Sequence, residues 1–197
     1  MARKPSIERL LEFHQLLNRF AEVERVVHIK RGGKYVLESD SEHAYNLAMT
    51  AWFVADSFPG LDRNKVVELA LVHDLVEIHA GDTFAFGEQA HLDSKAAREA
   101  AAQKQLAKDW ADFPALHAAI AEYEALQTAE ARFTYALDKL MPMLTVYLND
   151  GFTWRDKKLT LERMAREKRQ KMSTFPEVLP YWEALHGILL KQPELFP

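Results

Sequence analysis

Apolar residues recur along this chain at intervals of three and four, the period of an amphipathic helix, and nowhere in sustained alternation. In IERLLEFHQLLNRFAEVE, which follows Ser6, the spacing predicts a helix capped by that serine, with Leu10, Leu11, His14, Leu17 and Phe20 along its apolar stripe. Asp40 or Ser41 starts a second helix through SEHAYNLAMTAWFVADSF, ending before Pro59 and Gly60. Asp62 starts a third, which runs unbroken until Gly81 stops it. Further helices are expected near 94–111, 114–127, 129–149, 156–172 and 177–191, with Pro114, Gly151, Pro176 and Pro180 as boundaries. Two stretches break the period. Residues 26–40, VVHIKRGGKYVLESD, contain Gly32 and Gly33 and read as a long loop; residues 81–93, GDTFAFGEQAHLD, have the glycine, aspartate and aromatic mix of a functional lid. With no repeat and no linker, the pattern predicts one all-α domain over 1–197.

Composition narrows the chemistry. Of 197 residues, 48% are apolar, enough for one large core. There is no cysteine, which excludes disulfides, thiolate metal sites and a cysteine nucleophile and points to the cytoplasm. No apolar run approaches the ~20 residues that span a bilayer, and the N-terminus lacks a signal-peptide pattern. A formal charge of −4 exerts no general pull on nucleic acid, so a small-molecule partner is expected, with no membrane and no extended nucleic acid.

One segment stands out against this background. In VVELALVHDLVEIHAGD, His73 shares a face with Val66, Leu69, Ala70 and Val76, and that face belongs to the core. Charge buried there costs several kcal/mol or more unless a partner or a cation neutralises it. Asp74 follows directly, Glu77 lies one turn on, and Asp82 comes just after the helix stop, where a loop can bring it back. Two more polar residues occupy apolar surroundings. His43 lies in the first turn of a helix whose Ala44, Leu47, Ala48 and Ala51 face inward, and Asp138 interrupts the apolar run FTYALDKLMPML. Imidazoles and carboxylates together suit a divalent transition ion.

His43, then His73-Asp74, then Asp138 in an apolar helix resembles the HD-domain family of metal-dependent phosphohydrolases. The phrase HDLVEIHAGDTFAF is similar to the branch related to bacterial 5′-deoxynucleotidases, with its HD-x-x-E-x-x-x-x-D pattern. The resemblance runs from about Glu38 to Trp154, with the C-terminal helices packing on that core. It implies an all-α fold and one divalent ion (Mn, Co, Fe, Ni, Zn or Mg) held by His43, His73, Asp74 and Asp138. It implies catalytic roles for Glu77 and Asp82, and hydrolysis of a (deoxy)nucleoside 5′-monophosphate through attack of metal-bound water. A phosphodiester or nucleoside triphosphate substrate, or a non-catalytic regulator that binds metal and nucleotide, are the alternatives. A homodimer is expected by the same analogy.

The branch also places an arginine, often followed by tryptophan, upstream of the first metal histidine. Here that segment has no tryptophan; it has Arg25, His28, Lys30 and Arg31, of which Arg25 and Arg31 are the candidates to hold phosphate. The missing tryptophan weakens the case for deoxyribose. Residues 155–171, RDKKLTLERMAREKRQK, read as a solvated amphipathic helix with Leu159, Leu161 and Met164 turned inward. Trp52, Trp110 and Trp182 read as core, and His14, His79, His91, His117 and His186 receive no role.

Overall fold

The computed structural model describes residues 4–197. Helix α1, Ile7–Ala21, begins where its cap dictates: Ser6 Oγ accepts the Arg9 N–H at 3.3 Å. Its buried face differs from the expected stripe. Leu16 and Phe20 are buried and Phe13 half-buried, whereas Leu10, Leu11, His14 and Leu17 lie at the surface. The helix carries two apolar faces, and periodicity alone does not tell which one meets the core.

The stretch read as a loop is a β-hairpin. Strands β1, Glu24–Arg31, and β2, Lys34–Ser39, pair antiparallel with Arg31 opposite Lys34. Gly32 and Gly33 have φ of 56° and 81°, the left-handed pair that a tight two-residue hairpin turn requires. Most residues of both strands are half-buried on either face, so their polarity does not alternate and the strand period is hidden. Strand β1 is tied to the helical body from outside: the His28 N–H donates to Thr153 Oγ1 at 2.8 Å and the Lys30 N–H to Asn149 Oδ1 at 2.6 Å.

The hairpin ends in a capping box. Ser39 Oγ accepts the Glu42 N–H, and Glu42 Oε2 accepts the Ser39 N–H at 3.0 Å. Helix α2, Asp40–Ala55, therefore starts at a defined residue, which sets the direction of His43. Helix α3, Arg63–Val72, is capped by Asp62. The third helix does not continue unbroken to Gly81. At 73–76 the chain tightens into turns, with the Leu75 N–H donating to Val72 O and the Glu77 N–H to Asp74 O, before the short α4, Glu77–Ala80. The chain then forms α5, Gln89–Asp109; α6, Pro114–Ala125; and α7, Ala129–Leu148. A short α8, Phe152–Asp156, precedes the helix expected over 156–172, which starts only at Leu161 as α9, Leu161–Met172, and is followed by α10, Leu179–Leu189.

Helices α2, α3 and α7 build the main core through Leu47, Ala51, Val66, Ala70, Phe133 and Leu137, and the last helices close it with Met164, Met172 and Trp182. A second apolar cluster joins α1 to Leu75, Val76 and α5 through Leu16, Phe20 and Leu106. Trp110 and Trp182 are buried as expected. Trp52 is 54% exposed, on an outward face of α2 with Tyr45, Met49 and Phe53. Among the described residues, no helix is long and apolar enough to cross a membrane.

Candidate metal centre

His43 from α2, His73 and Asp74 from the turn after α3, and Asp138 from α7 meet in the interior. One ligand atom from each lies within 4.8 Å of all the others. His43 Nε2 is 2.9 Å from Asp138 Oδ1 and 3.9 Å from Asp74 Oδ2; His73 Nε2 is 2.9 Å from Asp74 Oδ2 and 3.7 Å from Asp138 Oδ1. Donors about 2.1 Å from a common ion stand roughly 3.0–3.4 Å apart at octahedral or tetrahedral angles, so the spacing fits one cation. The orientation fits as well. His73 Nε2 is buried and makes no well-angled hydrogen bond despite its nearness to Asp74, as two ligands of one ion would stand.

Surrounding groups hold these side chains in place. His73 Nδ1 lies 2.8 Å from the Ala70 carbonyl, to which its N–H donates, so Nε2 is the nitrogen that faces the cluster. Asp138 Oδ2 accepts from Lys139 Nζ at 2.5 Å and from the Tyr123 hydroxyl at 3.3 Å, which frees Oδ1 for the cluster. Asp74 Oδ2 also accepts from Arg25 Nη1 at 2.9 Å. The tightening at 73–76 has a consequence here, because it brings two consecutive side chains to one point.

Charge in the cluster is balanced internally. Burial works against a cation on His73, but Asp74 and Asp138 outweigh it and push its pKa up to about 10. Burial and Arg25 hold His43 down to about 4, so it is neutral. Burial alone would raise Asp74 and Asp138, but His73 and Arg25 around the first, and Lys139 and the two histidines around the second, hold both below the usual carboxylate range.

A second group of carboxylates adjoins the first. Oxygens of Asp40, Glu77 and Asp82 lie within 4.8 Å of one another. Arg25 is their main counter-charge: its Nη1 donates to Asp40 Oδ1 at 3.0 Å, and its Nε lies 3.6 Å from Glu38. Asp40 Oδ2 and Glu77 Oε2 are buried without a hydrogen-bond partner. Burial and the neighbouring Asp74, Asp40 and Asp82 push Glu77 up to about 11. Burial and Asp74 raise Asp40 to about 6, and burial raises Asp82.

Both groups border one cavity of about 210 Å³. Asp74, Glu77, Asp82 and Asp138 line its polar end; Val27, Phe84, Phe86, Met143 and Trp154 line the apolar remainder. Phe84 and Phe86 come from the segment read as a lid. Of the arginines expected to hold phosphate, Arg25 lines the cavity but is already engaged by carboxylates. Arg31 is exposed at the hairpin tip, ion-paired with Glu42 and outside the cavity lining. Sequence reasoning missed Glu38, Asp40 and Lys168 as parts of the site. Only Lys168 left a signal, as a lysine at an inward position of α9.

A family model described as HD domain matches residues 22–179. The human 5′-deoxynucleotidase HDDC2 is 33% identical over 132 residues, which is 66% of this chain and 63% of that protein; the bovine counterpart is 33% identical over the same length. The chain thus spans less than two thirds of these relatives. Among solved structures, a predicted metal-dependent phosphohydrolase from Magnetospirillum magnetotacticum MS-1 is 27% identical, with a TM-score of 0.80 and all of both chains covered. An HD-domain phosphohydrolase from Listeria innocua has the same fold, at 21% identity, a TM-score of 0.61, and 94% and 95% of the two chains covered.

Proposed function

The chain belongs to the HD-domain family, and from that premise we propose that it is a metal-dependent phosphohydrolase acting on a small phosphomonoester, with nucleoside 5′-monophosphates as the leading substrate class. One observation carries the proposal: four ligand atoms converge on one point at the polar end of a cavity, with two further carboxylates beside them. His43, His73, Asp74 and Asp138 would hold the ion. A divalent ion there would draw charge from a phosphoryl oxygen and acidify water beside it.

The chain's own residues supply the rest. Glu77 and Asp82 border the cavity next to Asp74, where a carboxylate can orient the attacking water and take its proton. With its pKa pushed up to about 11, Glu77 has the proton affinity of a strong acceptor, and positive charge nearby would return it to the ionised form. Arg25 keeps Asp74 and Asp40 in place, a positioning role. The apolar wall, with Phe84, Phe86 and Trp154, offers a surface for the flat face of a base. The HDDC2 relatives, named as 5′-deoxynucleotidases, favour a nucleotide. Phosphate release should be measured across nucleoside 5′-mono- and triphosphates, 3′-monophosphates and a phosphodiester, each with several divalent ions. Release from 5′-monophosphates is expected. Binding without release from any of them would make the chain a nucleotide-binding regulator instead.

The reading extends to a homodimer. Helices α1 and α2 pack on each other, and each turns a second apolar stripe outward: Ile7, Leu10 and Leu11 on one, Tyr45, Trp52 and Phe53 on the other. With Leu17 and Met49 these make a concentration of exposed large apolar side chains on two packed helices, unlike the single ones scattered over an ordinary surface. A second copy of the chain presents the same pair of stripes and suits a two-fold contact. Light scattering after size exclusion should give twice the monomer mass. Phe53→Asp, at a side chain 82% exposed, should give the monomer with an unchanged helix content. A monomeric parent protein at tens of micromolar would end the dimer reading.

A further inference from the structure

Lys168 stands where a core residue is expected. It lies four residues after Met164 and four before Met172, both fully buried, so it belongs to the inward stripe of α9. It is only 6% exposed, and its ammonium lies 6.0 Å from the Phe86 ring at the cavity. Other lysines along that wall have partners: Lys139 pairs with Asp138, Lys171 with Glu167 and Lys95 with Glu99. Lys168 has no carboxylate within 4.0 Å among the described residues. Burial and the nearby Lys139 ammonium pull its pKa down to about 8, the direction expected of a cation lacking its counter-ion. The stem is buried while the unpaired ammonium borders the cavity, and packing of the stem alone does not call for a charge there.

Arg25, the cation best placed by sequence to meet a phosphate, is already held by Asp40 and Asp74. The substrate's phosphate would thus enter a cavity end crowded with carboxylates, and it needs positive charge from another side. We propose that Lys168 provides it: the cavity contains an anion site, built on Lys168 of α9, that holds the oxygens of a phosphate dianion facing away from the ligand cluster. Helix α9 would then be part of the substrate site and not only a cover for the core. This rests on the phosphohydrolase reading for its choice of anion, although the site itself is tested without turnover.

Inorganic phosphate is the probe. It should be titrated calorimetrically into the full-length, manganese-loaded protein and into Lys168→Met, Lys168→Arg and Lys171→Met, with metal content and melting temperature measured on the same samples. Lys168→Met keeps the stem and removes the charge. It should bind phosphate at least tenfold more weakly, with manganese content unchanged and, without phosphate, a melting temperature equal to or above that of the parent. Lys168→Arg retains the charge and should stay within about tenfold of the parent, and Lys171→Met should change binding by less than threefold. The proposal is overturned if Lys168→Met binds phosphate as the parent does, if the parent binds none, or if the Arg and Met variants lose binding equally. Lys168-dependent phosphate binding with no hydrolysis of any phosphomonoester would uphold the anion site and remove the hydrolase reading alone.

Discussion

Two sets of buried carboxylates lie on either side of the Arg25 guanidinium, and they are balanced in opposite ways. Asp74 and Asp138 are surrounded by His43, His73, Lys139 and Arg25, and their protons are held loosely. Glu38, Asp40, Glu77 and Asp82 share Arg25 as their principal cation, and all four hold protons more tightly than an exposed carboxyl. The first set is ionised and arranged at ligand spacing. The second has too little positive charge for its number of acids, and four of its oxygens are buried without a hydrogen-bond partner. Under the proposed function the two sets would do separate work: one would retain a cation, and the other would accept protons once a cation is close.

The largest effect should come from breaking the ligand set. Asp74→Ala removes a ligand oxygen, the counter-charge of His73 and an acceptor of Arg25 together. It should abolish divalent-ion binding by elemental analysis and hydrolysis with it. In the metal-free protein it should cost about 3–5 kcal/mol of stability, the range for stranding one partner of a buried ion pair. A variant that kept its ion would show that the remaining three ligands suffice.

Glu77→Gln probes the other set at nearly constant shape. The ion should remain bound, while the rate falls on the order of 10²- to 10⁴-fold if the carboxylate is the proton acceptor. The metal-free melting temperature should hold or rise, because Glu77 is already protonated at neutral pH and amide replaces carboxyl. Loss of the ion along with the rate would merge the two sets into one.

The smallest effect tests the charge deficit at its edge. Burial raises the Glu38 carboxyl to about 7 from an ordinary 4.5, against the pull of Arg25. Below 4.5 the group is protonated in both folded and unfolded chains and contributes no pH dependence. Between 4.5 and 7 the unfolded chain releases its proton first, so the folded state loses stability as pH rises, by roughly 3 kcal/mol in all. Glu38→Gln should remove that loss. Chemical denaturation of the metal-free protein at pH 4 should find the two chains alike, and at pH 8 the variant should be the more stable. Equal stability at both would mean that Arg25 fully neutralises Glu38.

Periodicity by itself determined the helical class, the caps at Ser6 and Asp62, and the anomaly of His43, His73, Asp74 and Asp138 in apolar settings, because burying an ionisable group leaves a visible break in a hydrophobic pattern. Tertiary structure alone decided the remainder. The Gly32-Gly33 hairpin was hidden because its strands are half-buried on both faces, so alternation is absent. The outward face of Trp52 and the inward one of Leu16 depended on which of two apolar stripes met a neighbour. Glu38 and Asp40 read as ordinary polar residues around a helix start until the hairpin folded Arg25 over them. Lys168 read as one more charge in a basic run despite lying four residues from Met164, and the packing of α9 on α7 placed it at the cavity. A local pattern records the cost of burial at each position, while the partner that offsets that cost comes from a distant segment and is set by packing.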